Sequence, residues 1–316
     1  MLLHSTSWGA GDPVIALHPL ALESSAFAGT ARRLSRQGLR TLAVDLPGFG
    51  RTPAPEGPLT PARLAEPVIE LARSLERPPI LLGMSLGGRV ALEAALQQPA
   101  AFRAAVLVAP WLPWRTWRPA LALARFMDPG WAGHLPLERI WPLLKFVAET
   151  LEEWPRFEHD FLARAAVRVV YYSSCQATRA SFISAAREMA LEPAFGERGL
   201  WTRLADLSLP TTFLWAGRDW LIPREHAGLV AEALPRARWI LVPCSGHFVN
   251  GTHYRCMESA MAAGVVQAAE DTRRGRRGRR RARGPWRAPC LAAEASRAHE
   301  SVRERPLSRP QRRQAG

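Results

Sequence analysis

The sequence has few cysteines, and they show no paired spacing. Four are scattered over 316 residues, and no C-x-x-C motif occurs. Zinc sites and dithiol redox sites use closely spaced cysteine pairs, so the sequence predicts neither kind of site, and no metal or organic cofactor is expected. The four cysteines are expected to be free thiols: Cys175, Cys244, Cys256 and Cys290.

The amino-terminal residues lack the basic start and the apolar core of a secretory leader. No uninterrupted apolar run reaches the roughly 18 residues that a membrane span requires. Apolar residues nevertheless make up 47% of the chain, enough to fill a sizeable core. We therefore expect a soluble, cytoplasmic protein that has no membrane partner.

Most of the chain also lacks an excess of charge of either sign. The net charge is +14, but residues 1–270 hold 27 basic and 24 acidic side chains, whereas residues 271–316 hold 15 and 4. This Arg-rich tail has no apolar periodicity and is expected to be disordered. Nucleic acid is an unlikely partner except through Arg273 to Arg283, and a solvated extension without a role is an equal alternative.

Short apolar runs alternate with helical stretches through most of the chain. This alternation predicts an α/β fold, a mostly parallel central sheet with helices on both faces. In such folds the ligand crevice lies at the carboxyl ends of the strands. The runs are VIAL (14–17), RTLAVDL (40–46), PILL (79–82), AAVLVA (104–109), TTFLWAG (211–217) and WILVP (239–243).

The strand rhythm stops between Pro110 and Trp201, and several proline-broken helices are predicted there. We expect residues 1–110 and 201–270 to form the core domain and residues 111–200 to form an inserted helical cap. Tryptophans of the insertion could line an apolar wall over the crevice, or they could be the core of the cap itself. They are Trp111, Trp114, Trp117, Trp131, Trp141 and Trp154.

The stretch GMSLGG, residues 83–88, lies where an apolar strand pattern changes to a helical pattern. Such a corner requires unusual backbone angles and a close approach of strand and helix, which Gly83 and Gly87 allow. Ser85 between them is a candidate nucleophile. The alternative is that small residues merely close a turn and that the serine caps a helix.

A serine nucleophile needs a histidine base, and the base needs a carboxylate that orients it. Asp219 follows the predicted strand TTFLWAG, and His247 follows the next predicted strand, WILVP. The order serine, aspartate, histidine along neighbouring strand ends is geometrically reasonable. Weaker rivals are His253 as the base, and Asp206 or Asp45 as the acid.

These three loops resemble those of the α/β-hydrolase superfamily. Its nucleophile elbow is matched by GMSLG (83–87), its acid loop by AGRDWLIP (216–223) and its histidine loop by SGHF (245–248). The stretch VDLPGFGRT (44–52) resembles the segment that follows an early strand in many members of the family. The resemblance covers roughly residues 10–262. It implies Ser85 as the nucleophile, His247 as the general base and then acid, and Asp219 as the orienting carboxylate.

The resemblance also implies an oxyanion hole built from the backbone N–H groups of Leu86 and Leu20. The sequence departs from the family pattern at Pro19, which stands where members have a glycine after the histidine of LHPL (17–20). It departs again before Val14, where the chain is short for two opening strands, and after His247, where the usual acidic and proline pattern is missing.

A serine in this position favours acyl transfer to water. The leading interpretation is a serine hydrolase that cleaves a carboxylic ester of a small to medium apolar substrate, with an acyl-enzyme on Ser85. A lactonase, a thioesterase, a carbon–carbon-bond hydrolase and a cofactor-free haloperoxidase would use the same residues. A non-catalytic binding protein of the same fold is the alternative from another class. Oligomeric state is not predicted.

Overall fold

A computed structural model describes most of the core domain. It covers residues 1–113, 125–133, 176–217, 224–243 and 252–275, together with residues 219, 222 and 245. Within these residues no helix is long and apolar enough to cross a membrane.

The described strands form one seven-stranded sheet in the order β1-β3-β2-β4-β5-β6-β7. β1 pairs antiparallel with β3, and all other neighbours pair in parallel. The strands are β1 (Ser5–Trp8), β2 (Asp12–Leu17), β3 (Leu39–Val44), β4 (Ile80–Met84), β5 (Ala104–Val108), β6 (Thr211–Ala216) and β7 (Arg238–Val242).

Helices connect these strands and cover the sheet. In chain order the described helices are α1 (Ala28–Ser35), α2 (Pro61–Arg73), α3 (Leu86–Gln97), α4 (Pro129–Gly133), α5 (Gln176–Leu191), α6 (Leu200–Arg203), α7 (Arg224–Ala233) and α8 (Thr252–Gly275). Short 3₁₀ helices span Ser24–Phe27, Pro99–Ala101 and Leu204–Asp206.

Apolar side chains pack on both faces of the sheet. One core cluster includes residues of α2, α3, α5 and α7, and the other includes residues of α1 and α8. The central strands β2 and β5 are buried along their length, and β4 is buried at every residue except the half-buried Met84, as strands covered on both faces must be. The predicted α/β class with a mostly parallel sheet is confirmed.

Two elements differ from the sequence prediction. β1 was missed because three of its four residues (STSW) are polar and none is buried, so this edge strand has no apolar run. α8 runs to Gly275, beyond the predicted start of the disordered tail at Asp271. The extra turn is held at Asp271, whose carboxylate pairs with Arg238 at 2.8 Å, and at Thr272, whose hydroxyl donates to the Ala268 carbonyl.

Asp12, at the start of β2, also forms a hydrogen bond with the end of α8 through Arg273. Its carboxylate accepts hydrogen bonds from Arg77, Arg103 and Arg273 at 2.8–2.9 Å. Burial alone would raise the pKa of Asp12, but these three guanidinium groups hold it well below its usual range. The first residues of a central strand and the end of the last described helix are thus joined at the amino edge of the sheet.

The predicted cap lies largely outside the described residues, as do Trp114, Trp117, Trp141 and Trp154. The described tryptophans of this region differ in environment: Trp111 is buried in the core cluster that contains α5, whereas Trp131 is 69% exposed.

Candidate active site

Ser85 occupies the corner between β4 and α3 with a backbone that few residues adopt. Its φ is +52° and its ψ is −113°, outside the regions that L-amino acids normally favour. Strain of this kind persists only where the surrounding structure imposes it, and it is concentrated at functional sites. The conformation is that of a sharp strand-to-helix turn that presents a side chain at the top of a sheet.

Glycines make this corner sterically possible. A Cβ atom on Gly83 would overlap the carbonyl of Gly87, and a Cβ atom on Gly87 would overlap the carbonyls of Leu17 and His18. Helix α3 therefore packs directly on the backbone at the end of β2. The predicted reason for both glycines, a close approach of strand and helix, agrees with these contacts.

Backbone hydrogen bonds fix Ser85 itself. Its N–H donates to the Val108 carbonyl at 3.0 Å, and its carbonyl accepts from Arg89 and Trp111, both at 2.9 Å. The residue is only 5% exposed. Because the bond from Arg89 is the first of α3, the N–H of Leu86 precedes the intrahelical ladder and has no acceptor within it.

The loop after β2 carries the second predicted donor, Leu20. It forms a turn in which the Leu22 N–H donates to the Pro19 carbonyl at 3.2 Å, and Ala21 has a left-handed φ of +64°. Leu20 is half-buried against the main core. Pro19 is compatible with this turn because it supplies a carbonyl there and no N–H is needed from it.

His18 ties this loop to the next one. Its Nε2 accepts a hydrogen bond from the Leu46 N–H at 3.0 Å, which places the ring proton on Nδ1, 2.9 Å from the Pro19 carbonyl that it faces. The ring is fully buried, and burial lowers its pKa. His18 is therefore a neutral structural bridge between the loops that follow β2 and β3.

A pH dependence follows from His18. An unfolded chain binds a proton at this histidine below pH 6.5, whereas the folded protein resists it, so the stability due to His18 is present above pH 6.5 and decreases as the pH falls. As the pH is lowered from 7.5 to 5, we expect the free energy of unfolding to decrease more steeply in the wild type than in His18→Gln, by up to about 1.4 kcal/mol per pH unit. Urea unfolding at several pH values measures both slopes. Equal slopes would contradict a neutral buried His18.

Asp45 was a rival candidate for the catalytic acid, but its carboxylate is held by contacts with Ser24, Arg51 and His4. Its carboxylate accepts from the N–H groups of Ser24 at 2.7 Å and Arg51 at 2.9 Å, and it lies 2.9 Å from the His4 ring. Burial would raise the pKa of Asp45, but these backbone hydrogen bonds keep it below its ordinary value. Asp45 holds the loop after β3 and belongs to the frame of the site.

Asp219 lies after the carboxyl end of β6, as predicted. It is 8% exposed, and one of its carboxylate oxygens accepts from the Ile222 N–H at 2.7 Å. Since β4, β5, β6 and β7 are parallel neighbours, this end of β6 lies on the same sheet edge as Ser85. Asp206 precedes β6 and lies at the other end of that strand.

His247 lies outside the described residues. The turn that leads towards it is described at Ser245, which is fully buried and whose N–H donates to the Val242 carbonyl at 3.2 Å. The rival His253 is in the first turn of α8, and its side chain is not described. Among the described residues, no group of three or more His, Cys, Asp or Glu side chains could hold a metal ion.

A buried charge network that includes two residues of α3 was not predicted from the sequence. Arg89 is 1% exposed, and its guanidinium bonds to both Glu93 and Glu192; Arg203 also donates to Glu93 at 2.7 Å. Burial would raise the pKa of Glu93, but hydrogen bonds from Arg203 and the charge of Arg89 lower it to about 2. Only the i, i+4 spacing of Arg89 and Glu93 was readable in advance.

The chain is similar to known proteins over most of its length. A family described as alpha/beta hydrolase fold matches residues 12–254. A pimeloyl-[acyl-carrier protein] methyl ester esterase of Edwardsiella ictaluri is 30% identical over 252 residues, covering 77% of this chain and 89% of the relative.

Solved structures resemble the fold. A hydrolase from Pseudomonas aeruginosa is 23% identical with a TM-score of 0.62, over 83% of this chain and 94% of the other. A thermophilic esterase from Thermogutta terrifontis is also 23% identical, with a TM-score of 0.60, over 86% and 93%.

Proposed function

This chain belongs to the alpha/beta hydrolase fold family, and we propose that it hydrolyses carboxylic esters through a covalent acyl-enzyme on Ser85. The observation that carries the role of Ser85 is its strained corner between β4 and α3, with φ at +52°. A serine that only capped a helix would have an extended backbone and no such strain. The predicted class of activity, hydrolysis of a carboxylic ester, is confirmed by the similarity to named esterases.

The reaction we propose has two halves. His247 takes the proton of Ser85 as Oγ bonds to the ester carbonyl carbon, and then gives it to the departing alcohol as the C–O bond breaks. In the second half, His247 deprotonates a water molecule as the water oxygen bonds to the acyl carbon. The bond between that carbon and Oγ then breaks, the acid leaves, and His247 returns the proton to Ser85. Asp219 orients the imidazole and stabilises its charged form.

Charge develops on the carbonyl oxygen in both halves. We assign the N–H of Leu86, at the start of α3, as one donor to this oxygen, and the N–H of Leu20, in the loop that follows β2, as the second. Losing such a donor costs on the order of 3 to 4 kcal/mol in barrier height. Side-chain substitution of either leucine leaves the donor in place.

The substrate we propose is an ester with a small alcohol and a larger, apolar acid part. The relatives support this proposal because they are named for a methyl ester of an acyl-carrier protein conjugate. We retain, as parts of the same proposal, the core domain, the cap at residues 111–200, an Arg-rich tail that begins after α8, and a cytoplasmic site of action.

Covalent labelling tests the nucleophile directly. A fluorophosphonate probe should add one label to the wild type, measured by intact mass, because such probes react with a serine that has an activating base. Labelling should disappear in Ser85→Ala and in His247→Ala. Ser24→Ala is the matched control, since Ser24 is also 5% exposed, and it should label like the wild type. A folded wild type that stays unlabelled would favour a non-catalytic binding protein.

A further inference from the structure

Arginines are concentrated at the amino edge of the sheet, opposite to Ser85. The strands from β2 to β7 run parallel, so the segments that lead into them lie on this one edge. The segments that lead into β3, β4, β5, β6 and β7, which we call the entry segments, are residues 36–40, 74–79, 98–103, 204–210 and 234–238. Their arginines are Arg36, Arg40, Arg77, Arg103, Arg236 and Arg238.

Helix α8 brings further arginines to the same edge. Near its end Asp271 pairs with Arg238 of β7 at 2.8 Å. Two residues later Arg273 donates to Asp12 of β2, also at 2.8 Å, so the end of α8 crosses the edge between these strands. The chain continues from there with residues 276–287, the arginine segment, which contains seven arginines and no acidic residue.

Acidic residues do not balance this charge. The entry segments, Asp12 and residues 270–274 together contain eight arginines and five acidic residues. The loops that follow β2 and β3 at the opposite edge, residues 18–27 and 45–60, contain one arginine and three acidic residues. Of these two sets of residues, only the set on the amino edge carries a positive surplus.

The contacts around Asp12 show the same imbalance locally. Its single carboxylate is shared by the guanidinium groups of Arg77, Arg103 and Arg273, so three positive charges meet one negative charge. The buried Nε and Nη2 atoms of Arg103 have no hydrogen-bond acceptor among the residues that the structure describes. The side chain of Arg77 stays 73% exposed in spite of its contact. Donors therefore exceed acceptors here, and part of the cluster is open to a ligand.

Phosphate is the anion that this surface suits best. A planar guanidinium donates two parallel hydrogen bonds to neighbouring phosphate oxygens. A polymer of phosphates can contact the entry segments and the arginine segment at once, which a single anion cannot. A membrane surface fits less well, since helices that lie on membranes combine basic with large apolar side chains. None of the large apolar side chains exposed in the described part of the chain lies in an entry segment.

We propose that the amino edge of the sheet and the arginine segment bind the phosphate backbone of a nucleic acid. Because the contacts are with phosphates, we expect little dependence on base sequence. Each contact releases a counterion, so contact with about six phosphates should make the affinity fall by about 10³-fold between roughly 50 and 200 mM salt. This inference does not depend on the proposed function, because a nucleic acid on this edge leaves the edge that carries Ser85 open.

Charge reversal at the edge tests this assignment. Binding of the full-length protein to a fluorescent DNA duplex of about 20 base pairs is measured by anisotropy in about 50 mM salt. Arg36→Glu and Arg40→Glu should each weaken binding by about tenfold. Both side chains are exposed, and Asp12 is held by other arginines, so the fold should be unaffected. Arg51→Glu is the matched control: Arg51 is also exposed but lies in the loop after β3, and screening should keep the affinity of this variant within about twofold of the wild type.

A further full-length variant separates the edge from the arginine segment. Changing the seven arginines of residues 276–287 to glutamine should weaken binding by about 100-fold or more, and adding Arg36→Glu should weaken it again. Thermal unfolding checks that each variant is folded. If Arg36→Glu and Arg40→Glu bind like the wild type, the arginine segment acts alone and the proposed surface is overturned.

Two other results would also overturn the proposal. One is a wild type that does not bind the duplex, or an Arg51→Glu variant that loses as much affinity as Arg36→Glu. The other is binding to vesicles of phosphatidylglycerol and phosphatidylcholine without binding to the duplex, which would assign the surface to a membrane instead of a nucleic acid.

Discussion

Ser85→Ala is expected to lower kcat for ester hydrolysis by about 10⁴-fold or more. Without Oγ no acyl-enzyme can form, and only the oxyanion donors and substrate binding remain to accelerate attack by water. The measurement is kcat and KM on an ester that the wild type hydrolyses, with the variant purified free of background esterase. KM should change far less than kcat, because the methyl group of alanine leaves the surrounding pocket in place.

Two comparisons make this result specific. Ser24→Ala removes an equally buried hydroxyl and should keep kcat within a few-fold of the wild type. Thermal unfolding of Ser85→Ala should match or exceed that of the wild type, since functional sites are often strained at the expense of stability. A variant that keeps a tenth of the wild-type kcat would eliminate Ser85 as the nucleophile.

Arg89→Ala is expected to lower the free energy of unfolding by about 3–5 kcal/mol. Removing the guanidinium leaves the Glu192 carboxylate, only 11% exposed, without the partner that both of its oxygens contact. Breaking a buried ion pair costs this much because the remaining charge is left desolvated. Urea unfolding near neutral pH is the measurement.

The origin of that loss can be checked with a second pair of variants. Arg89→Met combined with Glu192→Met removes both charges and should recover more than half of the loss. Arg73→Ala breaks an exposed hydrogen bond to Gln98 and should cost about 0.5 kcal/mol or less. If Arg89→Ala lowers the free energy of unfolding by less than about 1 kcal/mol, the Glu192 carboxylate becomes hydrated when the arginine is removed, and the buried ion pair does not have the expected effect.

The strands and the serine corner were predictable because their signals are local. The run VIAL lies in β2 and TTFLWA forms β6, since buried parallel strands need continuous apolar residues. Gly83 and Gly87 marked the corner because only a residue without Cβ fits there.

The long-range polar contacts were not predictable in this way. Arg89 meets Glu192 across 103 residues of sequence, and no pattern in a single chain specifies such a pairing. The same holds for Asp45, a weaker rival for the acid by its position after a strand, whose oxygens accept from Ser24 in another loop and from Arg51 in its own. Asp219 was placed correctly on its strand end, and the catalytic roles of Ser85, Asp219 and His247 stay predictions.

Synthesis on the ribosome gives the Asp12 corner a further consequence. Asp12 emerges among the first residues, but Arg273 follows 261 residues later. Until then the carboxylate has at most two of its three guanidinium partners, so β2 enters the nascent sheet with this corner unfinished. Arrival of the last turn of α8 then closes it. The last turn of α8 can therefore stabilise the start of β2, at the opposite end of the sheet from Ser85, only after Arg273 has been synthesised.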